Sequence, residues 1–393
     1  MPFALSLLAL AVFAMGTSEF MLAGLVQDIA TSLGVSVGTA GLLTSAFAVG
    51  MVVGAPTMAA LTRRVPARGT LLGCVVLFAL AHVVGAVTLD FAILFATRVV
   101  AAFANAGFLA VALSTATRLV AADQKGRAVA VLLSGTTVAT VAGVPGGALL
   151  GAVLGWQATF WTIALLCVPA AVGIATGIPA DPRAPRASAE SAEAPSLRTE
   201  LAQLATPRLL LTMALAALVN TGTFAMLTFL GPIVTDVAGL AEWWVALALV
   251  LFGVGSFIGV TVAGRVSDRN PRVVITAGGV LLLLGWVAMA LYADRPVALL
   301  GLVLVQGVLG FAVGSTLITR VLYAATGAPT MGGSYATAAL NMGAAVGPVI
   351  AAATLTTAVG DLGPVWVAAS ATAVALVLAL GVGLLTGQRT RSS

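Results

Sequence analysis

Glu19 and Arg98 are the two charges that fall well inside long apolar runs of this 393-residue sequence. A carboxylate in such a place can take up and release a proton, while an arginine keeps its charge and shapes the field around it. If solvation or a charged neighbour changes with conformation, proton affinity changes too, and proton movement becomes coupled to shape. The same two residues could equally form a static ion pair that ties two helices together. A second set of polar and aromatic residues lies at depth: Asn105, Asn220, Phe224, Tyr335 and Asn341. Asn220 and Phe224 share one helix face at a spacing of four. Such a set can line a ligand path, and each member taken singly can instead hydrogen-bond between helices. His82 is the single histidine, and a structural or interfacial place suits it better than a proton relay. There is no metal-ligand cluster, nucleophile triad or phosphate-binding Gly-Lys-Ser/Thr loop. The expectation is therefore a chain without cofactor or metal, not an enzyme and not driven by ATP.

These residues must be positioned by membrane helices. The chain is 60% hydrophobic and 8% charged, too few charges to cover a soluble surface. The net charge of +5 does not indicate nucleic acid, because the basic residues sit in short loops between apolar runs. Hydropathy predicts twelve spans near 3–26, 38–61, 70–89, 91–119, 128–153, 158–179, 208–234, 243–263, 273–292, 297–322, 331–357 and 364–386. With the N-terminus in the cytoplasm, every basic residue except Arg98 and Arg295 falls in or beside an inner loop. The outer loops hold Asp28, Asp90, Asp236, Glu242, Asp294 and Asp361. The positive-inside rule thus predicts two cytoplasmic termini. The first span has no basic n-region and no small-residue cleavage site, so it reads as a retained helix. Cys74 and Cys167 lie in apolar runs and read as inert buried thiols.

The fold class expected is all-α: twelve transmembrane helices in two six-helix bundles, residues 1–179 and 208–393, joined by a cytoplasmic linker, 180–207. The stretch Ala180–Glu200, rich in Pro, Ala, Ser and charge, reads as flexible. An internal repeat supports the division. At a shift of about 205 residues Phe47, Gly50, Gly54, Arg64 and Pro66 coincide with Phe252, Gly255, Gly259, Arg269 and Pro271. Parallel repeats of six spans place a binding site near the midplane between the halves, exposed to alternate sides as they rock. Within the first half, Glu19 and Arg98 lie at one depth, roughly 12–14 Å below the outer surface at 1.5 Å per residue. That predicts a pair between the first and fourth spans.

The paired loop resembles the loop signature of the major facilitator superfamily. In the second half Gly264, Val266, Asp268, Arg269 and Arg272 fit it, with Pro271 replacing a glycine. In the first half Ala59, Leu61, Arg63 and Arg64 stand there, with Arg63 where the family has an acid. The resemblance implies a gating role for Arg64, Gly264, Asp268 and Arg269, although helix orientation alone also accounts for the arginines. Gly143, Pro145 and Gly147 resemble the glycine–proline signature of antiporter branches, which implies a conformational role for them. Generic tight packing is the alternative. The stretches "MPFALSLLALAVFAMGTSEFMLAGL", "NAGFLAVALSTAT" and "ITRVLYAATGAPTMGGSYATAALN" resemble the chloramphenicol-resistance exporters of high-GC bacteria. That resemblance covers nearly the whole chain. It implies proton-driven drug efflux across the bacterial plasma membrane by a monomer, with Glu19 and Arg98 as the coupling pair. Asn105, Asn220, Phe224, Tyr335 and Asn341 are then the candidate drug contacts. The "GTSEF" pattern also occurs in branches that export sugars or nucleosides, and these metabolites are the alternative substrates.

Overall fold

The computed structural model describes residues 3–61, 65–121, 124–178, 197–267, 270–328 and 331–389. Among them there is no strand, and twelve helices are long and apolar enough to cross a membrane. Hydrocarbon offers no partners to backbone N–H and C=O groups, so helices, which satisfy both internally, are the outcome for runs this apolar. The spans are α1 (Ala4–Gly24), α2 (Val37–Met58), α3 (Ala67–Val87), α4 (Phe91–Leu113), α5 (Arg127–Leu154) and α6 (Trp156–Gly177). Then follow α7 (Pro207–Thr228), α8 (Trp243–Val266), α9 (Pro271–Tyr292), α10 (Pro296–Ala324), α11 (Gly332–Thr354) and α12 (Gly360–Gly381). Alternation of the helices puts Asp28, Asp90, Asp236, Glu242, Asp294 and Asp361 at one face, and Arg68, Arg127, Arg208, Arg265, Arg272 and Arg320 at the other. These are called the acidic and basic faces below. Cys74 and Cys167 are buried free thiols.

The internal repeat reappears in the packing. A Cβ on Gly50 would meet the Val99 carbonyl, and one on Gly255 would meet that of Leu304; Gly54 faces Phe103 and Gly259 faces Val308. Each partner is displaced by the same interval of about 205 residues as the glycines themselves. The glycines let α2 lie directly on α4, and α8 on α10.

Two spans are interrupted at matching positions. After Phe20 the backbone of α1 tightens into a 3-10 turn, Met21–Gly24, and resumes as a short helix, Val26–Leu33. The α7 helix stops at Thr228, and the chain continues through Leu230–Pro232 and a π-turn, Ile233–Val237. Pro232 has no N–H for the Thr228 carbonyl, which accounts for the second break. A third irregularity, the π-turn Ala139–Gly143, divides α5 just before Pro145, which likewise cannot donate to Val141. Gly155, at φ 85°, turns the chain from α5 into α6 within one residue.

The halves meet along two helix pairs. The first is α2 with α11: Gly38 packs on Ala352 near the acidic face, and the Ser334 hydroxyl donates to the Ala55 carbonyl at 3.3 Å near the basic face. The second is α5 with α8, where Gly253 lies against the Thr140 carbonyl and Val141. The α8 helix packs on the π-turn and acidic-face half of α5, and leaves the half Lys125–Val138 largely free of it. Further contacts close the acidic side: Gly24 against Ala148 and Leu249, Gly41 against Phe229, and the Gln27 amide donating to the Thr235 hydroxyl at 3.2 Å. The molecule is shut at the acidic face and parted between α5 and α8 at the basic face.

The segment expected to be a flexible linker is not irregular throughout. Residues 179–196 lie outside the described residues, but Leu197–Ala202 is helical. Its Glu200 is fully buried and accepts a hydrogen bond from the Met331 N–H at 2.8 Å, at the start of α11. The carboxylate meets an orphan amide at a helix N-terminus, which stabilises both.

Closure at α5–α8 depends on Gly253 having no side chain. Gly253→Val should cost about 1–3 kcal/mol by overpacking against Thr140, read as a lowered unfolding temperature of the purified protein. Gly301→Ala, at a position with open space around it, should leave that temperature unchanged.

Candidate functional site

The site grows from one turn of α1. Ser18 is completely buried and faces α3 and α4. Arg98, 1% exposed, donates from Nη1 to the Ser18 hydroxyl at 2.7 Å and from Nη2 to the Ser18 carbonyl at 2.6 Å. Its guanidinium also lies over the Phe47 ring of α2, 4.6 Å from the centroid, a favourable cation–π contact. The span that carries it is fixed by Asp90, whose carboxylate caps α4 by accepting from the Ile93 N–H at 2.9 Å.

Glu19 is half-buried, and among the described residues no hydrogen bond or ion pair reaches its carboxylate. The expected contact between Glu19 and Arg98 is therefore replaced by one between Arg98 and the preceding residue. Successive helix residues point about 100° apart, so turning Ser18 toward Arg98 turns Glu19 away from it. The two charges still act on one another electrostatically, without touching. Glu19 thus keeps a free carboxylate on the part of α1 that leads to the other half. Phe20 follows it and stacks on Phe224 of α7 with ring centroids 5.6 Å apart. Ala48, Ala344 and Ala345 pack around Phe224, so elements of both halves close on this aromatic pair. At the repeat shift of about 205, Phe224 is the counterpart of Glu19 itself.

The remaining expected contacts divide. Asn105 is buried two turns along α4 from Arg98; its amide nitrogen lies 3.7 Å from the Met51 sulfur, and its carbonyl oxygen has no partner. Asn220 donates to the Leu340 carbonyl at 2.7 Å and ties α7 to α11. Asn341 donates to the Thr337 carbonyl of its own helix at 3.0 Å. Tyr335 is far from this group: it sits in the first turn of α11, among Leu209, Val321 and Met331, and its hydroxyl donates to the Glu200 carbonyl at 2.8 Å. Sequence reasoning grouped it with the residues at depth although it lies near the start of the expected span 331–357 as well. Ser18, Phe20 and Phe47 were missed; the signals were the sequence neighbours of Glu19 and the place of Phe47 at the head of the repeat.

The glycine–proline segment packs α5 onto α1. Gly143 lies against Thr17 and Phe13, and Gly147 against Thr159 and Met21. The Gly147 carbonyl accepts from the Thr159 hydroxyl at 2.8 Å, and Pro145 is buried between the two glycines. Gly264, on the last turn of α8, has no neighbour within 4 Å of a would-be Cβ among the described residues. Arg64, Asp268 and Arg269 lie outside the described residues. Among those residues no His, Cys, Asp and Glu group could hold a metal.

A crevice of about 370 Å³ lies between the halves at the acidic face, lined among others by Gln27, Asp28, Asp236, Glu242 and Trp243. None of the expected drug contacts lines it.

A family model described as the Major Facilitator Superfamily matches residues 8–337. The chain belongs to the major facilitator superfamily. It is a multi-pass membrane transporter and not an enzyme. Among superfamily relatives, a chloramphenicol resistance protein of Streptomyces lividans is 66% identical over 96% of this chain and 96% of its own length. The inner membrane transport protein YdhP of Escherichia coli K12 is 29% identical, covering 90% of this chain and 89% of that protein. Two solved superfamily-like structures share the fold. One is an inward-facing, unoccupied bacterial homologue of the human lysosomal transporter Spinster, at TM-score 0.71 and 17% identity, covering 96% of this chain and 94% of that one. The other is the nucleoside transporter NupG, at TM-score 0.75 and 14% identity, covering 96% and 98%.

The crevice gives a pH dependence. Burial, and then the Glu242 carboxylate across the interface, push the Asp28 carboxyl above its ordinary range in this closed arrangement. A group that binds its proton more tightly in one arrangement favours that arrangement as pH falls. Closure of the acidic face should therefore strengthen as pH drops through the raised value, and weaken above it. Distances between spin labels on the two halves at this face should shorten on acidification, and Asp28→Asn should flatten that response.

Proposed function

We propose that this transporter exports chloramphenicol, or a neutral nitroaromatic amide like it, in exchange for protons moving inward. The observation that carries the reading is the 66% identity, end to end, to a chloramphenicol resistance protein. The site supports it. A neutral ligand with an aromatic ring, an amide and hydroxyls needs apolar walls and a few hydrogen-bonding groups. The Phe20–Phe224 pair, the unpartnered Asn105 carbonyl oxygen and the free Glu19 carboxylate offer both.

In this reading the basic face is cytoplasmic, with both termini inside, as the loop charges require. The protein works as a monomer in the bacterial plasma membrane. The parting between α5 and α8 admits drug from the cytoplasm, and the halves at 1–179 and 208–393 rock about the contacts of α2 with α11. Glu19 carries the proton, and Arg98 supplies the fixed charge that sets its affinity. Gly143, Pro145 and Gly147 let α5 slide on α1, while Arg64, Gly264, Asp268 and Arg269 take the gating role that the loop signature implies. Asn220 keeps α7 and α11 in register around the path.

Cells carrying the gene should accumulate several-fold less chloramphenicol than cells without it, and a protonophore should erase the difference. Unchanged accumulation would reject the substrate, and export indifferent to the protonophore would reject proton coupling. Glu19→Gln should reduce proton-driven export at least about tenfold, while the protein still inserts and unfolds at the wild-type temperature.

A further inference from the structure

His82 is a buried titratable side chain that neither drug binding nor proton carriage uses. It is 1% exposed, on α3, enclosed by the rings of Phe78 and Phe160 at 4.3 and 5.6 Å. Its Nδ1 is 2.8 Å from the Phe78 carbonyl, an acceptor only, so Nδ1 carries the hydrogen. Its Nε2 is 2.8 Å from the Ser18 hydroxyl. That hydroxyl already accepts from Arg98 Nη1, since a guanidinium can only donate. The one arrangement that satisfies the Ser18 hydroxyl and both ring nitrogens has Ser18 donating to Nε2 of a neutral His82; Arg98 Nε has no hydrogen-bond partner among the described residues. A second proton on His82 would take this acceptor from the Ser18 hydrogen and set a cation beside Arg98.

We infer that His82 is a positioning residue: through Ser18 it holds Arg98 off the Glu19 carboxylate, and so sets the pH at which drug exchanges for protons. The inference rests on the proton-coupling reading above. The Ser18 hydroxyl is a good acceptor toward Arg98 because its own hydrogen is engaged by His82. Remove that acceptor and the hydroxyl turns to a backbone carbonyl of α1, as serine does in helices. Arg98 then loses one of its two bonds to Ser18 and can reach the adjacent carboxylate. Arg98, on α4, is the charge that acts on both Glu19 and His82. The other elements against this turn bring uncharged groups: Ala139 and Thr136 of α5 on Gly16, and Phe224 of α7 on Phe20.

The two ring nitrogens can be tested apart. In His82→Asn the shorter amide replaces Nδ1 and keeps the Phe78 bond but not the Ser18 one. In His82→Gln the longer amide reaches where Nε2 stands and restores an acceptor for Ser18. The full chain in liposomes would be assayed for chloramphenicol-induced proton release across a pH series. His82→Asn, like His82→Leu, should move the midpoint to lower pH by about one unit or more, the scale of an opposite charge coming into contact. His82→Gln should stay near wild type. Ser18→Ala should match His82→Asn, and the double variant should shift no further. If His82→Leu fails to fold, the contrast between Asn and Gln still decides. A wild-type midpoint in His82→Asn, or equal shifts in Asn and Gln, would overturn the positioning role alone. Proton release that is absent or flat with pH in the wild type would refute the coupling reading, and the positioning role with it.

Discussion

A guanidinium buried among apolar membrane helices is costly unless dipoles or charge meet it. Arg98 is met by the hydroxyl and carbonyl of Ser18, by the face of Phe47, and at a distance by Glu19. Much of the first half is arranged around that requirement. The α1 helix must present Ser18, α2 must place Phe47, α3 must supply an acceptor for the Ser18 hydrogen, and Asp90 must pin the start of α4. The Glu19 carboxylate stays free in the same geometry, because both bonds that Arg98 makes among the described residues go to Ser18.

How much of this could be read beforehand depended on which dimension was asked. The number of spans followed from composition, because hydrocarbon tolerates helices and little else. Depth along a span followed from the rise per residue, and Glu19 and Arg98 do sit at one level. Azimuth did not follow. Whether Ser18 or Glu19 faces Arg98 is set by where α3 and α4 lie around α1, and His82 is a long way off in sequence. The breaks in α1 and α7 were also hidden, because Met, Leu, Ala and Gly read as equally apolar in a 3-10 turn and in an α-helix. Tyr335 was placed at depth although it stands near the start of its span, and nothing in the sequence signals that this turn is docked on Glu200. The short helix bearing Glu200 was masked by the Pro, Ala and Ser around it.

The glycines show the converse, that a weak sequence signal can carry firm geometry. In a chain with 44 of them, single matches between halves mean little. Gly50 and Gly255 gain weight because the carbonyls they face, on Val99 and Leu304, keep the same interval. The α5 segment adds the mobile counterpart. Its π-turn and Pro145 lie where the helix stops following α8, so the closed and parted stretches of the interface join at a place where the ladder is already loosened.

The counterpart of Glu19 in the second half is Phe224. The scaffold is nearly two-fold, but its chemistry at that position is not: one half presents a carboxylate, the other an aromatic ring. If Glu19 carries the proton as proposed, coupling chemistry is confined to one half, while the aromatic pair offered to the cargo is drawn from both. In that reading, substitutions at Phe224 change the aromatic wall without replacing the carboxylate. An exporter of that kind is retuned toward new compounds without altering its proton site.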